Sequence, residues 1–202
     1  MNPGLPVPSS TADADEDLVT RRRRLMKDDI ARVAVQLFLA HGYEAVSVDD
    51  IAAAAKMSQR SFFRYFATKE EALTRYWHRM NADLVTAYRD RPPSEDPAEA
   101  LRAALMATSH VPVANRPVAL ALGRLFLDTP NVWARMVGDS FLDPSVGDEW
   151  ARRAGATAGD LAPWVRASAT VTAATMGWMA WVRSGGVDDA ADFVARALDA
   201  LT

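Results

Sequence analysis

Cysteine is missing from this 202-residue chain. Its absence excludes disulfides and thiolate metal sites and fits a reducing cytoplasm. No uninterrupted apolar stretch reaches membrane-spanning length, so no membrane partner is expected. The first 20 residues, rich in Pro, Ser and Asp, lack the basic start and apolar run of a secretory signal and read as a disordered tail. Histidine is scarce: His41, His78 and His110 fall on separate predicted elements, and none belongs to an H-E-x-x-H pattern, so no metal is expected. Gly-rich phosphate loops and G-x-S-x-G elbows are also absent. The carboxylate pairs Asp49-Asp50 and Glu70-Glu71 stand at predicted helix starts, where capping and the helix dipole account for them. These absences argue against an enzyme, and no cofactor is expected.

What is present is helical throughout. Ile30, Val33, Ala34, Leu37 and Phe38 recur at helical spacing, and Gly42 follows where a helix end favours positive φ. Ser47 with Asp50 three residues on predicts a capped second helix whose buried face is Val48, Ile51, Ala52 and Ala55. A turn at 55–57 leads to a new cap at Ser58 and a third helix carrying residues 59–66. Thr68 and Glu71 form another predicted capping box. Two helices across a tight turn let one lie in a DNA major groove while the other braces it. The third helix carries suitable chemistry: Arg60 suits guanine, Gln59 suits adenine and Phe63 can meet a thymine methyl. Arg64, Tyr65 and Lys69 can reach phosphates. A plain structural bundle is the alternative, and for Phe62 and Phe66, spaced i and i+4, a core role is the better reading.

The runs I-A-R-V-A-V-Q-L-F-L-A-H-G-Y and S-V-D-D-I-A-A-A-A-K-M-S-Q-R-S-F-F-R-Y-F-A-T-K-E-E-A-L resemble the headpiece of the tetracycline-repressor (TetR) family over about Leu25 to Leu73. Two departures stand out. Lys56 and Met57 occupy a turn where the family usually has Gly and Val, and Phe63 replaces a common Tyr, so a phosphate-contacting hydroxyl is lost there. The expected DNA-contacting set is Arg24, Lys27, Ser47, Val48, Ser58, Gln59, Arg60, Ser61, Phe63, Arg64, Tyr65 and Lys69.

Charge is segregated along the chain. Residues 1–20 hold four acids and no Lys or Arg; residues 21–80 hold 12 basic and 7 acidic groups, although the whole chain carries a formal charge of -3. One basic segment on an acidic chain favours a single docked nucleic-acid face. Arg21 to Arg24 and Lys27, expected just before or at the start of the first helix, read as phosphate contacts; a solvated arm is the bland alternative.

Beyond Leu73 the pattern stays helical. Leu73, Tyr76, Trp77, Met80, Leu84 and Tyr88 form one stripe from Thr68 to about Arg89. Asp96 caps the next helix with Pro97 at its first position, running to about His110. Further helices are expected over 115–127, from Thr129-Pro130 to Phe141, and on past Asp143-Pro144 to about Arg153. The longest should lie within Leu161 to Ser184, and the last should run from Asp188 to Leu201. The expected fold is all-α, about nine helices: a helix-turn-helix domain over 21–67 and a helical effector-binding and dimerisation domain over 68–202.

Small residues (Ala167, Ala169, Ala173, Ala174, Gly177) beside Met176, Trp178 and Trp181, followed by a helix bearing Phe193, Val194, Ala197, Leu198 and Leu201, suit close helix packing. A monomer core explains this as well as a dimer does; resemblance to the family implies homodimerisation through the last two helices, which a palindromic site also requires. The resemblance likewise implies an effector pocket in the body. Its large adaptable side chains suit an apolar ligand: Met80, Leu84, Met106, Leu122, Phe126, Trp133, Met136, Phe141, Trp150 and Met176, with His110 and Arg124 as polar anchors. The reading is a ligand-released repressor of operator DNA. An activator of the same fold, or a nucleoid-type protein of low sequence preference, stands as the alternative; a large specificity ratio separates the last from a regulator.

Overall fold

The computed structural model describes residues 17–134, 144–157 and 159–201, without the side chains of Tyr76 and Trp77. The labelled helices are α1 (Leu18–His41), α2 (Val48–Ala54), α3 (Gln59–Phe63), α4 (Lys69–Arg89), α5 (Pro97–Ser109), α6 (Arg116–Asp128), α7 (Ser145–Ala154), α8 (Ala162–Ser184) and α9 (Ala190–Asp199). A 3₁₀ turn at Val113–Asn115 precedes α6, and residues 130–134 are also helical. Two compact units divide the chain, one at residues 17–80 with 121–134, the other at 81–120 with the described residues after 143. Among the described residues there is no strand, and no helix is long and apolar enough to cross a membrane.

The first unit is organised by caps and aromatics. Ser47 and Asp50 close a reciprocal capping box on α2, and Ser58 accepts from the Ser61 N–H at the start of α3. Ile30, Ala34, Val35 and Phe38 of α1 are buried, as are Ile51, Phe62, Phe66 and Leu73. Three details differ from expectation. First, α1 begins at Leu18, so residues 18–20 are helical and the Arg21 to Arg24 run lies inside the helix. Arg, Leu and Met are good helix formers, and no Pro or Gly interrupts residues 17–41. With 24 residues α1 also exceeds the 23 of α8, which had been expected to be longest. Second, α3 ends at Phe63, because Arg64 and Tyr65 bond the carbonyls three residues back and tighten the chain into a turn. Third, Glu71 caps the Ala67 N–H at 2.7 Å, where a closed box would reach Thr68, although Thr68 Oγ1 does accept from the Glu71 N–H at 3.2 Å.

In the second unit α9 lies along α8. A Cβ on Gly177 would stand 2.6 Å from the Phe193 carbonyl oxygen, so this glycine permits the approach. Val194 and Leu198 are buried, and the Trp181 indole donates to the Asp188 carbonyl at 2.9 Å. Gly177 and the apolar stripe of α9 therefore serve the subunit's own core. Trp164 covers Gly147, joining α7 to α8.

The side chain of Arg153 in α7 is fully buried and binds the C-terminal end of α4: its guanidinium donates to the carbonyls of Tyr88 (2.7 Å), Arg91 (2.9 Å) and Pro92 (2.9 Å) and to Glu149 Oε1 (2.9 Å). A cation there meets both the unpaired carbonyls and the negative end of the helix dipole. Hydrogen bonds from Arg152, then from Arg153, outweigh burial and hold the Glu149 carboxyl below its usual range. Burial pushes the neighbouring Tyr88 hydroxyl up to about 12.

Candidate nucleic-acid interface

The α2–α3 turn is closed without glycine. The Met57 N–H bonds the Ala52 carbonyl at 2.9 Å and the Lys56 N–H bonds Ala53 at 3.1 Å, the paired pattern of a Schellman ending, with Lys56 itself at φ 55. A lysine thus holds the left-handed position that glycine would fill more easily. This turn delivers α3 with Ser58 at its cap and with Gln59, Arg60 and Phe63 exposed, while Phe62 beneath them is fully buried. The Phe62 and Phe66 rings pack at 5.7 Å between centroids with their planes tilted by 43°, which fixes the helix from below.

The remaining expected contacts divide. Ser47, Ser58 and Arg64 are exposed, and Val48, Ser61 and Tyr65 are half-buried. Arg24 lies 4.0 Å from Asp28, and Lys27 sits 4.0 Å from Glu71 and over the Phe66 ring. Lys69 is a correction. Its ammonium donates to the carbonyls of Tyr43 (2.9 Å) and Val46 (3.0 Å) and lies 4.2 Å from the Tyr43 ring centroid, so it ties the α1–α2 loop to α4, leaving little for a phosphate. The Tyr43 hydroxyl donates in turn to Glu70; burial, then that bond, raises the phenol's pKa. No motif marked this role, since both acceptors are carbonyls more than 20 residues away. A carboxylate cluster also escaped notice: Asp28 on α1 takes Arg75 and Arg79 of α4 at 2.9 Å each.

The expected effector residues are spread over both units. Met80, Leu122, Phe126 and Trp133 belong to the first, with Leu122 and Phe126 buried; Leu84, Met106 and Trp150 belong to the second, with Leu84 and Trp150 buried. Met136 and Phe141 lie outside the described residues. Two members are corrected. His110 is 61% exposed and bonds Asp189 at 2.7 Å, so it serves the surface around the α9 cap. Met176 is 45% exposed on the outer face of α8, because the inner face of that helix is already filled by α9. Arg124 is exposed as well.

A short capped helix, presented across a tight turn with polar and aromatic side chains outward, defines a helix-turn-helix DNA-binding headpiece. Residues 30–75 match the family described as bacterial regulatory proteins, tetR family, and residues 95–202 match the MftR C-terminal domain. The chain belongs to the TetR family of DNA-binding transcriptional regulators. It is 38% identical over 87 residues to the HTH-type transcriptional regulator TcmR of Streptomyces glaucescens, covering 43% of this chain and 38% of that protein. It is 52% identical over 54 residues to MftR of Mycobacterium tuberculosis, named for regulation of mycofactocin biosynthesis, covering 27% of each. These matches span well under half of either relative's length. Thermus thermophilus FadR, a TetR-family transcriptional repressor solved with lauroyl-CoA, shares the fold at a TM-score of 0.58 and 20% identity, over 87% of this chain and 92% of that one. FadR of Bacillus halodurans shares it at 0.51 and 19%, over 93% and 96%.

Proposed function

We propose that this chain is a repressor that occupies a palindromic operator as a homodimer and is released by a small apolar effector. The observation that carries the reading is α3: Gln59, Arg60 and Phe63 are exposed on a helix whose underside, Phe62, is locked into the core. Arg60 reads guanine, Gln59 reads adenine, Phe63 meets a thymine methyl, and Arg24, Lys27, Arg64 and Tyr65 hold the phosphates. Residues 21–67 form the reading domain and 68–202 the regulatory one.

Two-fold assembly is supported by a face of α8 that its own subunit leaves open. Val165, Ala169, Thr172, Met176 and Ala180 are exposed and recur at helical spacing, a narrow stripe that a second copy of the helix would cover. For the effector, buried Leu84 and Trp150 of the second unit supply apolar surface, and the FadR of T. thermophilus, of like fold, was solved in complex with lauroyl-CoA. Genomic fragments selected by the purified protein, sequenced and then retested against a panel of amphipathic compounds, test the proposal. A recurring palindrome and a releasing compound are expected. Equal affinity for every duplex would favour the nucleoid-type reading.

A further inference from the structure

Phe63 stands where burial alone would not leave a phenyl ring. It is 50% exposed, and among the described residues only one other aromatic side chain is exposed, Trp164, which lies against Gly147. Gln59 and Arg60, four and three residues before Phe63 and both exposed, share its face of α3. The ring is nonetheless held in place. It meets the Phe62 ring edge to face, at 5.7 Å between centroids and 84° between planes, and Phe62 is fully buried. Directly after it, the Arg64 N–H bonds the Ser61 carbonyl and the Tyr65 N–H bonds that of Phe62, which tightens the backbone at this point. A ring fixed in this way offers a preorganised apolar surface, which a hydrocarbon group satisfies and water does not.

A helix rises about 1.5 Å per residue, so Phe63 lies about 6 Å beyond Gln59, close to two base-pair steps of about 3.4 Å each. A major groove that admits Gln59 and Arg60 therefore admits Phe63 as well. The aliphatic group on that groove's edge is the methyl on pyrimidine C5; its neighbours there are hydrogen-bond donors and acceptors. A phenyl ring has no donor or acceptor of its own, so it cannot tell the O4 of thymine from the N4 amino group of cytosine. We infer that Phe63 reads the C5-methyl group itself and not the base that carries it, so that a cytosine methylated at C5 substitutes for thymine at this position. Occupancy of the DNA site then responds to a covalent mark on the DNA as well as to its sequence. Reading by Phe63 rests on α3 entering the major groove, as the function proposed above requires. Burying one methyl group is worth about fourfold in affinity, and about fifteenfold for the two half-sites of a palindrome.

The test uses the full chain and duplexes that it selects from a random library. In the tightest of these, each thymine is replaced singly by deoxyuridine, which removes the methyl and leaves the hydrogen-bonding edge intact. One thymine per half-site is expected to lose about fourfold in affinity on this replacement. Exchanging its pair for C·G should lose at least as much, and methylating that cytosine at C5 should restore about fourfold. Phe63→Ala should bind more weakly and no longer distinguish thymine from uracil, or methylated from plain cytosine, at this position. Phe63→Leu keeps an apolar side chain and should keep part of the distinction. A native chain indifferent to every uracil, a uracil penalty of equal size in Phe63→Ala, or a penalty that methylated cytosine does not relieve would each overturn the assignment. A chain that selects no duplex refutes the DNA-binding reading along with it, whereas one that selects duplexes and ignores the methyl refutes the role of Phe63 alone.

Discussion

Replacing Arg153 with Met should be among the most destabilising single changes in the second unit. The side chain is 0% exposed and makes four short hydrogen bonds, one to Glu149 and three to carbonyls at and just beyond the end of α4. A bond from a charged donor contributes about 1.5 to 3 kcal/mol, but Met regains part of that by burying its apolar surface. Breaking a buried pair by removing one partner costs about 3 to 5 kcal/mol; Arg152 still binds Glu149 here, so the loss falls chiefly on the three carbonyls left without their donor. We expect Arg153→Met to cost about 3 to 5 kcal/mol, read as a lowered urea midpoint at constant slope. Glu149 is 4% exposed, so Arg153→Met with Glu149→Gln should cost less than the sum of the single changes by about 1 to 3 kcal/mol. Arg152→Met provides the contrast: its side chain is 58% exposed, and loss of its pair should cost under about 1 kcal/mol. An Arg153→Met chain that loses less than Arg152→Met would refute the reasoning.

Lys56→Gly should stabilise the chain by about 0.5 to 1 kcal/mol, since Lys56 holds φ 55 and is exposed; a lower thermal midpoint would show that the lysine side chain matters more than its backbone. Arg60→Ala should weaken operator binding by about 1 to 3 kcal/mol and relax preference at one base pair per half-site, whereas Lys69→Ala should lower thermal stability instead; equal losses on operator and scrambled duplex would make Arg60 a phosphate contact. Met176→Glu should shift sedimentation toward monomer without unfolding the chain, and an unchanged dimer would place the interface away from α8. Glu149, Glu70 and Asp189 have carboxyl pKa values below the ordinary range, so their stabilisation is full above about pH 5 and is lost as pH falls through their folded values. Acid titration of the urea midpoint should show this loss, with a shallower slope in Glu149→Gln.

Features closed by residues three or four apart were largely legible in the sequence, the half-formed box at Thr68 and Glu71 being the exception. Ser47 with Asp50, Ser58 with Ser61, and Asp96 before Pro97 all cap as their spacing implies, because donor and acceptor are fixed by local backbone geometry. Features that depend on what lies across a gap were not. Lys69 carries the same charge as a phosphate-binding lysine, and only the approach of the Tyr43 and Val46 carbonyls turns it inward. Periodicity on α8 and α9 located apolar stripes, but it could not say which stripe its own subunit covers: Leu198 is buried and Met176 is not. The basic run at Arg21 to Arg24 differs in another way. Its four like charges place the expected start of α1 at or after the run, yet each repels its neighbours only through water and all are good helix formers, so the helix begins at Leu18.

Along α4, arginine chemistry of opposite polarity acts at two places. In the first unit its own Arg75 and Arg79 grip Asp28 of α1; in the second its terminal carbonyls are gripped by Arg153 of α7. The polarity follows from what each part of the helix offers. Arg75 and Arg79 lie within the helix, where backbone groups are already paired and only side chains can reach out, whereas the carbonyls of the last turn have no helical N–H to meet and take a donor from another helix. A buried guanidinium at that end therefore has a physical reason of its own: its planar set of N–H donors meets several carbonyls and Glu149 at once, which a lysine, with fewer donors, could not match.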